Sequence, residues 1–347
     1  MTTLATAARR RTPEVLPGVL VCAAIAAVAL VIGNLLPILG TAVPAIIIGV
    51  VIALRWRPGR RLLPGIRFAG RTLLQVAVVL LGSQLSVSEA ADVGLSSLPV
   101  MLGTLAACLL TAWLVGRAIR VPRDLRTLIG VGTGICGASA IAAVSPVILA
   151  ADAEIAYAIS TVFVFNIAAV LAFPVIGHLL GLSQQAFGLF AGTAVNDTSS
   201  VVAAASSYGA EAMQHAVVVK LVRSLMIIPI CLVLGAWAAR RSAAADRSET
   251  VRRPATATVG RIARLVPPFL IGFVAMALAR SVGLIPAAIT PELSRAAVFL
   301  ISVAMAGIGL STDLPALRRA GPRPLLLGGT LWVVVSLTSL GIQQLVG

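Results

Sequence analysis

Two basic residues interrupt a long apolar stretch of the chain. Lys220 and Arg223 are three residues apart, so they share one face of a helix. A Lys or Arg at the centre of a membrane helix costs about 2.5–3.5 kcal/mol on insertion scales. Each side chain is therefore expected to face protein or a water-filled cavity. Two cations on one helix face are typical of a site that binds an anion.

A polar run lies in the preceding apolar segment and supplies one acidic group. The candidate residues there are Asn196, Asp197, Thr198 and Ser199. Together with Lys220 and Arg223 they predict an anion pocket that contains a single carboxylate. The structural alternative is a buried ion pair between Asp197 and one of the two cations, which would only lock two helices together. One carboxylate cannot neutralise both cations, and this favours the pocket.

Small residues at mid-span complete the candidate site. They are Gly134, Cys136, Gly137 and Ser139 in one segment and Gly307 and Ser311 in another. Glycine costs about 1 kcal/mol relative to alanine inside a helix. Such clusters indicate either close helix packing or an unwound segment whose free N–H groups bind anions. Cys136 is interpreted as a small apolar filler beside glycines rather than as a nucleophile.

The composition requires a membrane protein. Of 347 residues, 59% are hydrophobic and 11% are charged, and the mean hydropathy is +1.03. Soluble domains carry about 25% charged residues, so an ordinary cytosolic enzyme, a disordered protein and a coiled coil are excluded. Catalytic, Walker and zinc-ligand motifs are absent from the sequence, which predicts no enzyme activity, no cofactor and no metal.

Eleven segments are long and apolar enough to cross a hydrocarbon core, which needs roughly 20 helical residues. They are residues 15–34, 37–54, 67–87, 97–116, 127–149, 155–179, 186–207, 213–237, 265–281, 292–312 and 324–345. This division predicts a tail at 1–14, eight spans within 15–237, a basic loop at 238–264 and three spans within 265–347. One extra helix followed by five and five is the arrangement of inverted-repeat transporters.

The formal charge of +15 is explained by membrane topology rather than by nucleic-acid binding. With eleven spans, nearly all arginines fall in loops on the side of the amino terminus, and the opposite loops carry most of the acidic residues. Basic loops stay in the cytoplasm. The amino terminus and the 238–264 loop are therefore predicted to be cytoplasmic, and the carboxyl terminus is predicted to lie outside.

Several motifs in the same order resemble the YeiH family, whose members are bacterial inner-membrane proteins usually labelled sulfate exporters. The matching runs are Gly65–Gly70, Gly82–Ser86, Gly134–Ser139, Gly192–Thr198, Lys220–Arg223 and Gly307–Ser311. The resemblance extends from about residue 17 to the end. It implies a fold related to cation/proton antiporters and bile-acid symporters, with two crossed, broken helices near 130–140 and 303–312.

The leading functional hypothesis is a secondary active transporter that exports a small anion, sulfate or a related sulfur oxyanion, coupled to H⁺ or Na⁺. The alternative is a cation/proton antiporter that uses Asp197, since the Asn196-Asp197 pair resembles the acidic motif of those proteins. An intramembrane enzyme fits worst. The expected partners are the anion, the coupling ion and the lipid bilayer, with a homo-oligomer allowed and no nucleic acid.

Overall fold

The computed structural model describes residues 2–35, 40–56, 58–245, 268–286, 288–311 and 321–346. Every regular element in these ranges is a helix, as predicted. The first eight α-helices are α1 (Thr2–Leu35), α2 (Ala42–Arg55), α3 (Leu63–Phe68), α4 (Leu74–Leu81), α5 (Val87–Ser96), α6 (Leu98–Ala118), α7 (Arg123–Gly134) and α8 (Ala138–Ile148). A π-helical segment (Ala69–Leu73) joins α3 to α4 without a break, and a 3₁₀ turn (Gly82–Gln84) continues α4. The next eight are α9 (Asp152–Leu179), α10 (Gln184–Ala194), α11 (Thr198–Tyr208), α12 (Ala210–Leu225), α13 (Ile227–Ala245), α14 (Pro268–Ser281), α15 (Thr290–Leu310) and α16 (Pro322–Val346).

Seven helical stretches in the described part of the chain are long and apolar enough to cross a membrane. They are Val15–Gly33, Leu63–Gln84, Leu98–Ala118, Asp152–Leu179, Ala210–Ala236, Thr290–Leu310 and Pro322–Leu345. Two of the eleven predicted segments, 37–54 and 265–281, fall on the shorter helices α2 and α14. Two more, 127–149 and 186–207, are each divided into two short helices. The count of eleven spans and the inverted repeat stay predictions.

The outer faces of these helices are apolar. Leu110 on α6 and Leu337 on α16 expose more than half of their side-chain surface. Many other leucines and valines on the long helices are exposed in the same way. Extended exposed apolar surface of this kind suits contact with lipid rather than with water. The protein is therefore a polytopic, all-helical membrane protein.

One of the two expected helix breaks is confirmed. The helix that begins at Arg123 ends at Gly134, and α8 begins at Ala138, so the break at 135–137 lies inside the predicted range 130–140. A second break lies at 195–197, between α10 and α11. The sequence interpretation had not placed a break there.

The expected break near 303–312 stays a prediction, because α15 is continuous from Thr290 to Leu310 and ends within the expected range. Its glycines serve close packing. A Cβ on Gly309 would lie 2.5 Å from the carbonyl oxygen of Ile46 on α2, and one on Gly307 would lie 2.9 Å from that of Ile66 on α3. Small residues let membrane helices approach this closely. Residues 312–320 lie outside the described ranges.

The predicted amino-terminal tail, residues 1–14, and the predicted basic loop, residues 238–264, are partly helical. Residues 2–14 belong to α1, and residues 238–245 continue α13 beyond the predicted start of the basic loop. Arginine, alanine and serine extend these helices readily, because none of them breaks a helix. The remainder of the predicted loop, residues 246–264, lies outside the described ranges.

A candidate anion site where two broken helices meet

The two helix breaks touch each other in the interior of the protein. A Cβ on Gly137, in the first break, would lie 3.3 Å from the Cβ of Asp197 in the second. The ends of four short helices, α7, α8, α10 and α11, therefore converge on one place, which we call the crossing. Each break leaves main-chain N–H and C=O groups without helical partners. In a membrane interior such groups must be satisfied by protein, because water is not available to them.

The first break depends on a glycine conformation. Gly137 has φ of +68° and ψ of −133°, in the left-handed half of conformational space, where a side chain is disfavoured. This residue turns the chain from the end of α7 into α8. No side chain caps the start of α8. Its first N–H groups thus point towards the crossing without a side-chain acceptor.

The second break depends on capping instead of glycine. Asp197 adopts an extended conformation, and its carboxylate accepts a hydrogen bond from the backbone N–H of Ser199 at 3.1 Å and another from the Ser199 hydroxyl. This is the N-cap arrangement that starts a helix. The carboxylate also lies next to the positive end of the α11 dipole, which stabilises a negative charge.

Lys220 joins the two breaks. Its ammonium group donates to the carbonyl oxygen of Ile135 at 2.7 Å and to that of Val195 at 2.8 Å. These carbonyls follow the ends of α7 and α10, where a helix lacks hydrogen-bond partners and its dipole is negative. The side chain is completely buried. One cation on α12 thus satisfies an exposed carbonyl from each broken helix.

Arg223 lies one turn further along α12 and is only partly satisfied. Its Nε donates to the carbonyl oxygen of Gly134 at 2.8 Å. Both Nη atoms are buried and make no hydrogen bond to any residue that the structure describes. A guanidinium stays protonated in proteins and presents these N–H groups as a planar fork. The fork matches the oxygens of a carboxylate, sulfate or phosphate group.

Asn166 on α9 supports the second break and was missed by the sequence interpretation. Its side-chain oxygen accepts hydrogen bonds from the backbone N–H groups of Asn196 at 3.2 Å and Asp197 at 3.1 Å. The signal in the sequence was a lone amide within the apolar segment 155–179. The Asn196 side chain is itself buried, and its oxygen has no hydrogen-bond partner among the described residues.

The ion pair considered as a structural alternative does not form. Among the described residues, no ion pair joins Asp197 to Lys220 or to Arg223, whose hydrogen bonds go to main-chain carbonyls. Two buried cations and one half-buried carboxylate leave the crossing with a formal charge of +1. A bound anion would neutralise that charge. The same described ranges contain no cluster of His, Cys, Asp or Glu suited to a metal ion.

The predicted site residues fall into two groups in space. Ten of them lie at or beside the two breaks: Lys220, Arg223, Asn196, Asp197, Thr198, Ser199, Gly134, Cys136, Gly137 and Ser139. Cys136 is buried in the first break, and Ser139 is exposed on the first turn of α8. Gly307 packs against α3, and the Ser311 hydroxyl donates to the carbonyl of Gly307 at 2.8 Å. A binding role for this second pair stays a prediction.

Comparison with known proteins identifies relatives that span nearly the whole chain. A family profile described as "Conserved hypothetical protein 698" matches residues 17–328. The UPF0324 membrane protein spr0034 of Streptococcus pneumoniae is 40% identical over 338 residues, covering 95% of this chain and 97% of the relative. The UPF0324 membrane protein FN0533 of Fusobacterium nucleatum is 38% identical over 350 residues, covering 95% and 98%. No solved structure matches the chain.

Proposed function

Because the chain belongs to the UPF0324 family of membrane proteins, which is the YeiH family, we propose that it is a secondary active transporter of a small anion. The substrate class is sulfate or a related sulfur oxyanion, and the direction is export. The observation that carries the proposal is the Arg223 side chain. It is completely buried, yet neither Nη atom has a hydrogen-bond partner in the described part of the chain.

An oxyanion would supply the hydrogen-bond acceptors that the Nη groups of Arg223 lack. Two parallel hydrogen bonds from the Arg223 fork would hold two oxygens of the anion, and charge-assisted bonds of this kind contribute about 1.5–3 kcal/mol each. The start of α8 adds uncapped N–H groups at the same crossing, where the helix dipole also favours an anion. The Lys220 ammonium group already donates two hydrogen bonds to carbonyl oxygens, so it contributes to anion binding mainly through its charge.

The position of the site favours transport over catalysis. Binding sites of secondary transporters are built from discontinuous helices near the middle of the membrane, and their half-helix ends point at the substrate. The crossing of α7–α8 with α10–α11 has this character. The side chains at the crossing include no nucleophile paired with a base, so the proposal assigns no enzyme activity.

Coupling is assigned to Asp197, the one carboxylate at the crossing. Among the described residues, its hydrogen bonds go to the start of its own helix, where Ser199 donates to it. A carboxylate without an ion-pair partner can exchange H⁺ or bind Na⁺ while the neighbouring cations hold the anion. The second candidate function, a cation/proton antiporter, rests on the same observation. In that case transport would need Asp197 and would not need the Arg223 fork.

The deciding experiment measures transport in proteoliposomes. Uptake of labelled sulfate and sulfite is followed with and without a pH or Na⁺ gradient, for wild type and for Arg223→Lys and Arg223→Gln. Arg223→Gln removes the charge and is expected to raise the apparent Kd about tenfold or more. Arg223→Lys keeps the charge but loses the fork, so an intermediate loss is expected. The matched control is Arg280→Gln, which removes an arginine from the end of α14.

Asp197→Asn separates the two candidate functions. If Asp197 couples the transport of an anion, this variant loses gradient-driven accumulation and keeps exchange of sulfate across the membrane. If the protein is a cation/proton antiporter, Asp197→Asn abolishes Na⁺/H⁺ exchange and Arg223→Gln leaves it intact. Normal anion transport by a well-folded Arg223→Gln variant would disprove the anion site.

A further inference from the structure

A cavity lies between α6, α7 and α13, and its far end at Leu105 reaches Gly134 at the first break. Its volume is about 890 Å³, which is within the range of ligand-binding pockets, roughly 300–1,000 Å³. The lining is largely aliphatic and includes Leu109 on α6 and Ile230 on α13. Trp113 and Val233 line it as well and expose 51% and 68% of their surfaces. The cavity is therefore a groove that opens sideways, towards the lipid around the spans.

One end of this groove is strongly basic. Arg117, in the last turn of α6, and Arg123 and Arg126, in the first turns of α7, all line it. The connection between α6 and α7 lies at this end. The loop charges predict that this connection faces the cytoplasm, where the inner leaflet carries anionic lipids. Trp113 lies one turn from Arg117, which is where aromatic residues anchor helices at a membrane surface.

The length of the groove matches one leaflet of a bilayer. From Arg117 the lining continues along α6 to Leu105, twelve residues away. At 1.5 Å per residue this distance is roughly 18 Å, slightly more than half of a hydrocarbon core of about 30 Å. A basic end and an apolar wall of this length suit a molecule with an anionic head and a hydrocarbon tail. A free inorganic anion would leave the apolar wall without a function.

We propose that the groove binds an anionic phospholipid of the inner leaflet. The lipid phosphate lies among Arg117, Arg123 and Arg126, and an acyl chain packs against Leu109, Ile230 and Val233. Basic pockets between transmembrane helices bind anionic head groups in this manner. The inference does not depend on the proposed transport function, since neither Lys220 nor Arg223 lines the groove.

The first test uses the wild-type protein in detergent. Equal amounts of phosphatidylglycerol and phosphatidylcholine with identical acyl chains are added, and native mass spectrometry measures which lipid stays bound. We expect phosphatidylglycerol adducts to survive collision energies that remove phosphatidylcholine. We also expect phosphatidylglycerol to raise the melting temperature more than phosphatidylcholine does. Equal retention of the two lipids would overturn the proposal without any variant.

Variants then place the lipid in the groove. Arg117→Gln combined with Arg126→Gln is expected to weaken phosphatidylglycerol binding about tenfold or more, because each basic residue near an anionic head contributes to the affinity. The matched control, Arg60→Gln with Arg61→Gln, removes the same charge from another loop predicted to face the same side. Leu109→Trp narrows the apolar wall and keeps all three arginines, so it is expected to weaken phosphatidylglycerol binding as well.

Three results would contradict the lipid site. If the Arg60/Arg61 control loses as much phosphatidylglycerol affinity as the groove variant, the loss is explained by overall charge and not by the groove. Full phosphatidylglycerol binding by Leu109→Trp would exclude the acyl chain from the groove. Stabilisation by sodium sulfate or phosphate alone, lost in the Arg117/Arg126 variant, would assign the basic end to a free anion.

Discussion

Gly137 is a residue at which the crossing is sensitive to a single methyl group, because of both its backbone conformation and its contact with Asp197. Its φ of +68° is disfavoured for other residues, and the Cβ of an alanine would lie 3.3 Å from that of Asp197. We expect Gly137→Ala to lose about 1–3 kcal/mol through backbone strain alone, and more through crowding. Thermal unfolding of the purified protein in detergent measures the sum as a lower melting temperature.

Gly181 provides a control for that substitution. It has a similar φ of +62°, but no atom outside its neighbourhood lies within 4 Å of an added Cβ. Gly181→Ala is therefore expected to show the backbone cost only. The excess loss in Gly137→Ala then reports the contact between the two breaks together with the further backbone cost of the ψ of −133° at Gly137. Equal losses of stability in the two variants would mean that the two helix breaks can move apart without further cost.

At the level of single residues, the charges were the predictable part of the site. Lys220, Arg223 and Asp197 were found because an ionised group in an apolar span needs a reason to be there. Their partners could not be derived, since main-chain carbonyls at helix ends leave no mark in the residue types. Asn166 was missed for a related reason. One amide in a span is as consistent with a helix–helix hydrogen bond as with support of a distant break.

The short helix α5 starts with a reciprocal cap that responds to pH. The backbone N–H of Ser86 donates to the Glu89 carboxylate at 2.8 Å and its hydroxyl donates at 2.9 Å, and these bonds hold the pKa of Glu89 below its usual value. A carboxyl group with a lowered pKa in the folded state stabilises the fold above its unfolded pKa, about 4.3. That contribution disappears as the pH falls through the lower, folded pKa.

We therefore expect Glu89→Gln to lower the melting temperature at pH 7, with a difference from wild type that shrinks below about pH 4. Thermal unfolding across that pH range checks the sign. Glu154→Gln is the control, because Glu154 is also in the first turn of a helix, α9, whose N-terminus has no side-chain cap. A constant Glu89→Gln difference at all pH values would show that the cap does not depend on ionisation.

The close packing of α2 against α15 depends on glycine at the contact between the two helices. Gly309 approaches the carbonyl of Ile46 so closely that a Cβ would lie 2.5 Å from its oxygen, whereas Gly341 on α16 has open space around it. We expect Gly309→Ala to destabilise the protein by separating the helices. We expect Gly341→Ala to be neutral or to stabilise by up to about 1 kcal/mol, since alanine favours the helix. Gly309→Ala should lower the melting temperature, and Gly341→Ala should leave it unchanged or raise it.

At the level of elements, the helices could be predicted from hydropathy, whereas the break that the structure confirms was predicted from the family resemblance. The first break carries a visible signal, because Gly134 and Gly137 surround it. The second contains Val195, Asn196 and Asp197, with no glycine, and it is stabilised by a cap and by Asn166 on another helix. The glycines of α15 gave the same local signal as a break while serving close packing. Residue types alone do not separate these two uses of glycine.

For the whole molecule, the testable prediction is its orientation in the membrane. Seven arginines between 240 and 264 are expected to keep that segment in the cytoplasm. A cysteine introduced as Ser248→Cys in a cysteine-free background should react with a membrane-impermeant maleimide only after the cells are opened. A second cysteine, Asp92→Cys in the loop region predicted to lie outside, should react in intact cells. The reverse pattern would invert the topology.

The ammonium group shared between Ile135 and Val195 limits how the molecule can move. If α7 and α10 drew apart, at least one of two carbonyls would lose its partner in a medium that offers no replacement. These two helix ends and α12 are therefore expected to travel as one stiff body. Any displacement that opens the crossing to one side of the membrane and then to the other must take place at the outer boundary of that body. Sliding would be concentrated on the surfaces that α12 and the half-helices present to their neighbours.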